Sequence, residues 1–493
     1  MGIIIKQSVR NSIYIYAGAL LGFVTVAILF PRFLDPGQIG TLSLLVSFSM
    51  ISGRLGTLGL NSSIYRFFPK FRHLGKDNAW PFLIIITGFI GFTLFLIFYF
   101  LFGNIVIENN LDKSPDFAKY FYLIIPLTLF QIFFFNLDAL NSVLYNSTLG
   151  TFIKEFLQRV LILAGFLFIV FGIFDFEQYI FWYVSSICFG TLVLLVFLIK
   201  QGNFNWRPKQ AIHFKPEWKN IFSVSGFGLL NGFSGFAVLQ FDRILVNAFL
   251  NSAATGIYSI TFYFGILISM PARGLQKIAS TLISDAYASN DYDKVDEIYQ
   301  KSCLNQFIFG MWALLGIWVN QDAIFHILPA EYREGRYVIL FIGIAQLIKM
   351  AGGLNDAIIM YSKYFKVVTL FQVVFLILTT GLNVILIPEY GLSGAAFASL
   401  LAISIHLVMK WIFIWLKFGF QPYNLKFLLV LFLGLATYFI TDIFPESGNW
   451  LFDLFVRSVL VTLLFLGSIY TLKLSNDING TIIGIYRKFK NLQ

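Results

Sequence analysis

Charge is the first thing this sequence lacks. Only 12% of its 493 residues are Asp, Glu, Lys or Arg, about half the one quarter usual in a soluble protein. So little polar surface excludes a globule wetted on every side. Cysteine is nearly absent. Cys188 and Cys303 are the two present, neither lies in a CxxC, and a disulfide framework or thiolate metal site is excluded. Histidine is scarce too: His73, His213, His326 and His406 all read as lying near helix ends or in loops, which argues against a catalytic imidazole. No GxxxxGK[ST] phosphate loop, HExxH zinc pair or nucleophile elbow occurs. Neither an enzyme nor a bound cofactor is expected, and uphill work would have to draw on a gradient, of protons or sodium for example.

What is there is apolar. Hydrophobic residues make up 58% of the chain, 59 are Phe, and the mean hydropathy is +0.78. A spanning helix needs about 20 mainly apolar residues, and about 14 such blocks can be read. The first six run roughly 11–34, 39–60, 79–102, 119–145, 156–174 and 178–199. Six more run roughly 220–249, 254–277, 304–328, 337–360, 367–388 and 392–416, and two follow at about 425–444 and 450–472. Ala17-Gly18-Ala19 mimics a signal-peptide cleavage site, but the apolar run continues to Leu34 and reads as a first span.

The net charge of +10 would suggest nucleic acid in a soluble protein. Here the cations fall between the apolar blocks, so nucleic acid is not expected. With a cytoplasmic N-terminus, about 24 Lys and Arg, Lys154 among them, lie in inside segments and about 5 outside. That places both termini in the cytoplasm and requires an even span count. The longest inside connection, about 278–303, carries Val295, Ile298 and Tyr299 at helical spacing among acids, which predicts a short amphipathic helix at the cytoplasmic surface. The outside loops are short.

The chain matches itself at an offset near 216. Phe33-Leu34-Asp35 with Gly40 and Ser43 aligns with Phe249-Leu250-Asn251 with Gly256 and Ser259. A weaker echo pairs Leu140-Asn141 through Tyr145 with Leu354-Asn355 through Tyr361. The first helix of each block carries GxxxG, at Gly18/Gly22 and Gly228/Gly232, which permits close helix approach. An even number of spans separates the copies, so the repeat is parallel. The predicted architecture is all-α and integral to the membrane. Residues 1–202 form one six-helix lobe and 203–219 a basic cytoplasmic linker. Residues 220–418 form the second lobe, and 419–493 two added helices with a basic cytoplasmic tail.

Charges within spans are costly in lipid and tend to face a polar interior. They are Arg54, Asp138, Asp242, Arg243, Arg273, Lys349 and Asp356, with Arg457 outside the repeat. Lys349 sits mid-span, and pairing with Asp138 or Asp356 is one reading of it. Arg54 and Arg273 lie near inner ends, where snorkelling is the alternative. Arg243 is near an outer end and, with Asp242, could instead settle helix packing. Lys410, Asp322, Asp442 and Asp453 read as interfacial. In the two lobes the deep cations outnumber the acids, which suits an anionic ligand such as a phosphate.

Several stretches resemble the polysaccharide-export branch of the multidrug/oligosaccharidyl-lipid/polysaccharide exporter superfamily, which includes the O-antigen flippases. They are Phe241-Asp242-Arg243-Ile244-Leu245-Val246 with Thr255-Gly256-Ile257-Tyr258-Ser259, Leu328-Pro329-Ala330-Glu331-Tyr332, and Ile387-Pro388-Glu389-Tyr390-Gly391-Leu392-Ser393-Gly394. The resemblance implies a V-shaped fold whose central cavity opens alternately to each side. It implies a polyprenyl-pyrophosphate-linked oligosaccharide, an O-antigen, capsular or exopolysaccharide unit, moved to the outer leaflet of a bacterial inner membrane. Membrane lipids, and a polysaccharide polymerase or glycosyltransferases, are the implied partners. Related lipid II flippases place cavity arginines in helices 2 and 8, where Arg54 and Arg273 stand; the arginine pair of helix 1 has no counterpart, since Arg32 is at the outer end. A path lined by Arg54, Arg273, Lys349 and Arg243, with Asp138, Asp242 and Asp356 as coupling or charge partners, follows as an expectation. A cation-coupled drug or metabolite antiporter of the same fold, and a membrane polymerase or ligase, remain as alternatives.

Overall fold

The computed structural model describes residues 2–73, 80–202, 217–444 and 447–480. The predicted linker, up to residue 216, and the basic tail beyond 480 lie outside them. Among the described residues every regular element is a helix. The chain divides into two compact units, Met1–Ile260 and Thr261–Gln493.

The first unit holds α1 (Gly2–Gly22), α2 (Pro36–Gly56), α3 (Leu60–His73), α4 (Trp80–Glu108), α5 (Ile124–Val143), α6 (Gln158–Val170), α7 (Phe176–Lys200), α8 (Trp218–Phe249) and the start of α9 (Ser252–Leu267). The division falls inside the predicted second lobe because α8 lies along α2 and α3. The GxxxG of α8 makes that approach: a Cβ on Gly228 would press on Ser62, and one on Gly232 on the Arg54 side chain. The second unit continues with α10 (Met270–Ala288), α11 (Tyr292–Val319), α12 (Arg336–Ala351), α13 (Asn355–Tyr361), α14 (Lys366–Phe418), α15 (Leu425–Asp442) and α16 (Trp450–Val461).

By length and apolarity, nine helices among the described residues can cross a membrane, or eleven if two bent pairs each count as one span. The expected 14 is not reached by that measure, for local reasons. Helix α9 has only 16 residues. The predicted fifth span is met by α6, only 13 residues long, which follows a π-helical turn at Phe152–Leu157. Helix α14 runs 53 residues as one element across a kink at Gly391, where φ 56° and ψ −134° leave the helical region. That backbone conformation is essentially restricted to glycine, which accounts for Gly391 in the Ile387–Gly394 motif.

Helix α4 shows the solvent these faces meet. Phe89, Leu94, Phe98 and Phe100 are all more than half exposed, and only 22% of its most apolar window is buried. Such a stripe is stable against acyl chains and not against water. The last two helices are more than an appendage. Val461 and Phe465 share a buried core with Ile308 and Met311 of α11, and Trp312 Nε1 donates to Thr462 Oγ1 at 3.2 Å.

The connection predicted to carry a short surface helix is built differently. Helix α10 occupies its first part, and α11 begins at Tyr292 and runs unbroken into the span, with Asp291 capping Lys294 N at 3.0 Å. Val295 and Tyr299 are fully buried with Leu354 and Ile358. The periodicity marks a true apolar face, but its partner is α13 and not a lipid surface.

The repeat reappears as geometry. Leu34 and Leu250 end their helices, and Asp35 and Asn251 then start the next ones. Asp35 N donates to Gln38 Oε1 at 3.2 Å, and Ala254 N donates to Asn251 Oδ1 at 2.8 Å. Asn251→Ala is expected to lower stability by about 1 kcal/mol as the cap is lost, readable as a shifted thermal transition in detergent. Within the first unit the repeat-related helices also touch through equivalent positions. A Cβ on Gly40 would lie 1.8 Å from Ser252 O, and one on Gly256 1.9 Å from Pro36 O.

Candidate functional site

In the first unit, the aromatic ring of Phe135 organises the deep charges. Arg54, in the last turn of α2, places its guanidinium 5.0 Å from the ring centroid. Lys154 Nζ lies 4.9 Å from the same centroid and 5.8 Å from that of Phe134. A cation over an aromatic face gains about 0.5–2 kcal/mol, more where water is scarce. The sequence places Lys154 among the loop cations. It sits instead in the π-helical turn that leads into α6, and such turns recur at functional positions. Asp138 follows Phe135 by three residues on α5, close enough for Lys154 to act on it electrostatically. Its Oδ1 is buried without a hydrogen-bond partner among the described residues and lies against Gly150, where a Cβ would come within 1.7 Å. Arg54, Lys154 and Asp138 thus share the region around Phe135, and Glu155, paired with Arg159 at 2.9 Å, also acts on Lys154.

Farther along α8, Asp242 is 3% exposed and accepts a hydrogen bond from Tyr258 Oη at 3.0 Å. Arg243 Nη1 donates to Gln240 Oε1 at 2.9 Å, and Ser47 Oγ donates to the same oxygen at 2.8 Å. Asn247 joins the network: its Nδ2 donates to Asn110 Oδ1, and Ser114 Oγ donates to its Oδ1, each at 2.8 Å. These bonds tie α8 to α2 and to the α4–α5 connection.

The second unit has its own cluster. Lys410 Nζ donates to Asp356 Oδ1 at 2.6 Å; the lysine side chain is 9% exposed and the aspartate 70%. Pairing of Lys349 with Asp138 or Asp356 is one reading of the sequence; in the structure Asp356 forms an ion pair with Lys410. Lys410 is therefore not interfacial. It is buried on the second limb of α14, one turn beyond His406 and on the same face. His406 is also buried, contrary to its expected place at a helix end. Its ring stacks on Phe375 at 4.3 Å, and its Nε2 has no hydrogen-bond partner among the described residues. Lys349 acts electrostatically on both Asp356 and His406. It is exposed, and it lies in the last turn of α12 and not in mid-helix, because the chain breaks at Gly352–Leu354 and bends by 43° into α13.

Arg273 falls in the first turn of α10, after a break at Ile268–Ser269 in the predicted eighth span. Its side chain lies outside the described residues. Lys154, His406 and Lys410 are the members that sequence reasoning missed. Each stands four residues or fewer from an aromatic or charged neighbour, but only packing turns it inward. No group of three or more His, Cys, Asp or Glu that could hold a metal occurs among the described residues.

A family model described as "Polysaccharide biosynthesis protein" matches residues 5–283, more than half of the chain. The chain belongs to that family. A curated relative, the probable low-salt glycan biosynthesis flippase Agl15 of Haloferax volcanii, is 20% identical over 199 residues, covering 40% of this chain and 42% of that protein. The chain thus spans about two fifths of the length of the curated relative it matches. Among solved structures, the lipid II flippase MurJ in an inward closed conformation superposes with a TM-score of 0.75 at 14% identity, covering 95% of this chain and 100% of that one. An inward-facing multidrug resistance MATE family transporter of the MOP superfamily gives 0.63 at 13% identity, covering 83% and 94%. This chain has their fold. These relatives and neighbours are flippases and transporters, not enzymes.

Proposed function

We propose that this chain is a flippase for a polyprenyl-pyrophosphate-linked oligosaccharide, an O-antigen, capsular or exopolysaccharide unit, carried from the inner to the outer leaflet by alternating access. The observation that supports this reading is the charge balance of the two clusters. Among the described residues, Arg54, Lys154 and Arg159 stand with the acids Asp138 and Glu155, and Lys349 and Lys410 with the acid Asp356. Each group holds more cations than acids. A pyrophosphate brings negative charge and many acceptor oxygens, and arginine can bind it through two parallel hydrogen bonds. A site for organic cations would require the opposite balance.

The cationic bias of the inside segments supports cytoplasmic termini in a bacterial inner membrane. Coupling to protons or sodium, where it occurs, would act through Asp138 or Asp356, the carboxylates of the two clusters.

Surface glycan restored in a strain lacking the flippase tests the proposal. Arg54→Ala and Lys154→Ala are each expected to reduce it about tenfold or more at unchanged protein level, since about 1.4 kcal/mol of lost ligand stabilisation is a factor of ten. Arg273→Ala and Lys349→Ala complete the set. Full export by all four single variants would remove the cationic path from the mechanism. Loss of export confined to Asp138→Asn and Asp356→Asn would favour the antiporter reading, and glycan transfer by the purified protein would favour a polymerase or ligase.

A further inference from the structure

A cavity that neither cluster uses lies wholly within the second unit. It opens where α10 ends, α11 begins, α13 ends and α14 closes, and has a volume of about 680 Å³ within the range typical of small-ligand sites. Its wall is aromatic. Tyr287 meets Tyr292 edge-on at 5.9 Å and Phe418 at 6.5 Å, and Tyr364 meets Phe418 at 5.9 Å.

Two lysines stand at this wall. Lys363 Nζ is 5.2 Å and Lys417 Nζ 5.9 Å from the centroid of the one Tyr364 ring. Both are exposed, and neither forms an ion pair with a described residue. Among the described residues, no acidic side chain lines the cavity. Tyr287 Oη is buried with no hydrogen-bond partner among the described residues. Burial pushes its pKa up to about 12, so at neutral pH it keeps its proton and is available as a donor.

We propose that this cavity is a binding site for the phosphate of an anionic phospholipid headgroup, with Lys363 and Lys417 supplying the charge and Tyr287 a hydrogen bond. The aromatic wall accommodates the glycerol and upper acyl carbons, as tyrosine does at membrane interfaces. Basic pockets between spanning helices are suited to such headgroups. The site would hold a resident lipid at the lysine-rich end of the second unit. It is separate from the two deep clusters and does not depend on glycan transport.

Titration of the full chain in detergent with dioctanoyl phosphatidylglycerol, dioctanoyl phosphatidylcholine and inorganic phosphate tests it. Phosphatidylglycerol is expected to bind about tenfold more tightly than phosphatidylcholine, given the attraction of each lysine for an anionic headgroup. The double variant Lys363→Gln/Lys417→Gln should lose that preference, Lys363→Arg/Lys417→Arg should keep it, and Tyr287→Phe should weaken binding without unfolding the chain. Lys426→Gln, an exposed lysine outside the cavity, should bind as the unaltered protein does. Equal phosphatidylglycerol binding by the double Gln variant and the unaltered protein would overturn the proposal. So would an affinity for inorganic phosphate equal to that for the lipid, which would indicate a soluble anion, or a loss on Lys426→Gln as large as that of the double variant.

Discussion

Asp356→Ala is expected to destabilise the second unit by about 3 kcal/mol, while Lys410→Ala costs much less. The asymmetry follows from exposure within one ion pair. Lys410 is 9% exposed and Asp356 70%. Removing the aspartate strands a buried ammonium, with the charge of Lys349 acting on the same site. Removing the lysine leaves a carboxylate that remains accessible. Thermal unfolding of the purified protein, followed by tryptophan fluorescence, separates the two. The double variant Asp356→Leu/Lys410→Met should recover most of the stability, because replacing a buried pair by apolar residues of similar volume is often neutral. If that double variant is stable and still exports glycan, the pair is structural. If it is stable and inactive, the pair serves transport.

The second large effect is expected at the crossing of α2 and α9. Gly40→Val and Gly256→Val should each prevent accumulation of folded protein. In both cases the added Cβ meets a backbone carbonyl less than 2 Å away, and a helix backbone cannot rotate aside as a side chain can. Overpacking of ordinary core positions costs about 1–3 kcal/mol, and a rigid backbone obstacle places these two above that range. Gly381→Ala is the control. Nothing lies within 4 Å of its Cβ position, and alanine favours a helix by about 1 kcal/mol over glycine. Yield of monodisperse protein after detergent extraction checks all three. Comparable yields of Gly40→Val and Gly381→Ala would show that the crossing is not tight.

The repeat illustrates how much of this fold was legible. Phe33-Leu34-Asp35 and Phe249-Leu250-Asn251 could be matched because capping demands a short polar acceptor where a helix starts, and that demand is local. The glycines at 40 and 256 could be matched as letters. That they meet each other could not, since nothing in either segment names its partner. Helix breaks were harder still. Lys349 and Arg273 both read as deep in long spans. The chain breaks at Gly352–Leu354, at a Gly-Gly pair, and at Ile268–Ser269, two residues before Pro271; such residues mark a possible break without telling it from a kink that a longer helix tolerates.

The charge clusters divide the same way. Arg54 and Asp138 stood out because an ionised group among apolar neighbours is anomalous wherever it points. Lys154 and Lys410 did not, because each lies close enough to a polar stretch to pass for a surface cation. A lysine stem is long enough for either fate, so its burial depends on what packs beside it: Phe134 and Phe135 for the one, Asp356 for the other.

Sequence alone therefore determined the membrane environment, the helical class, the self-match at an offset near 216 and the presence of charges within the spans. Those properties follow from composition and from spacing along one chain, which the cost of polar groups in hydrocarbon makes decisive. Tertiary structure alone decided which cation pairs with which acid, where the helices break, and that Gly40 and Gly256 touch. Those are distances between segments remote in sequence, set by how the side chains of separate helices fill the space between them.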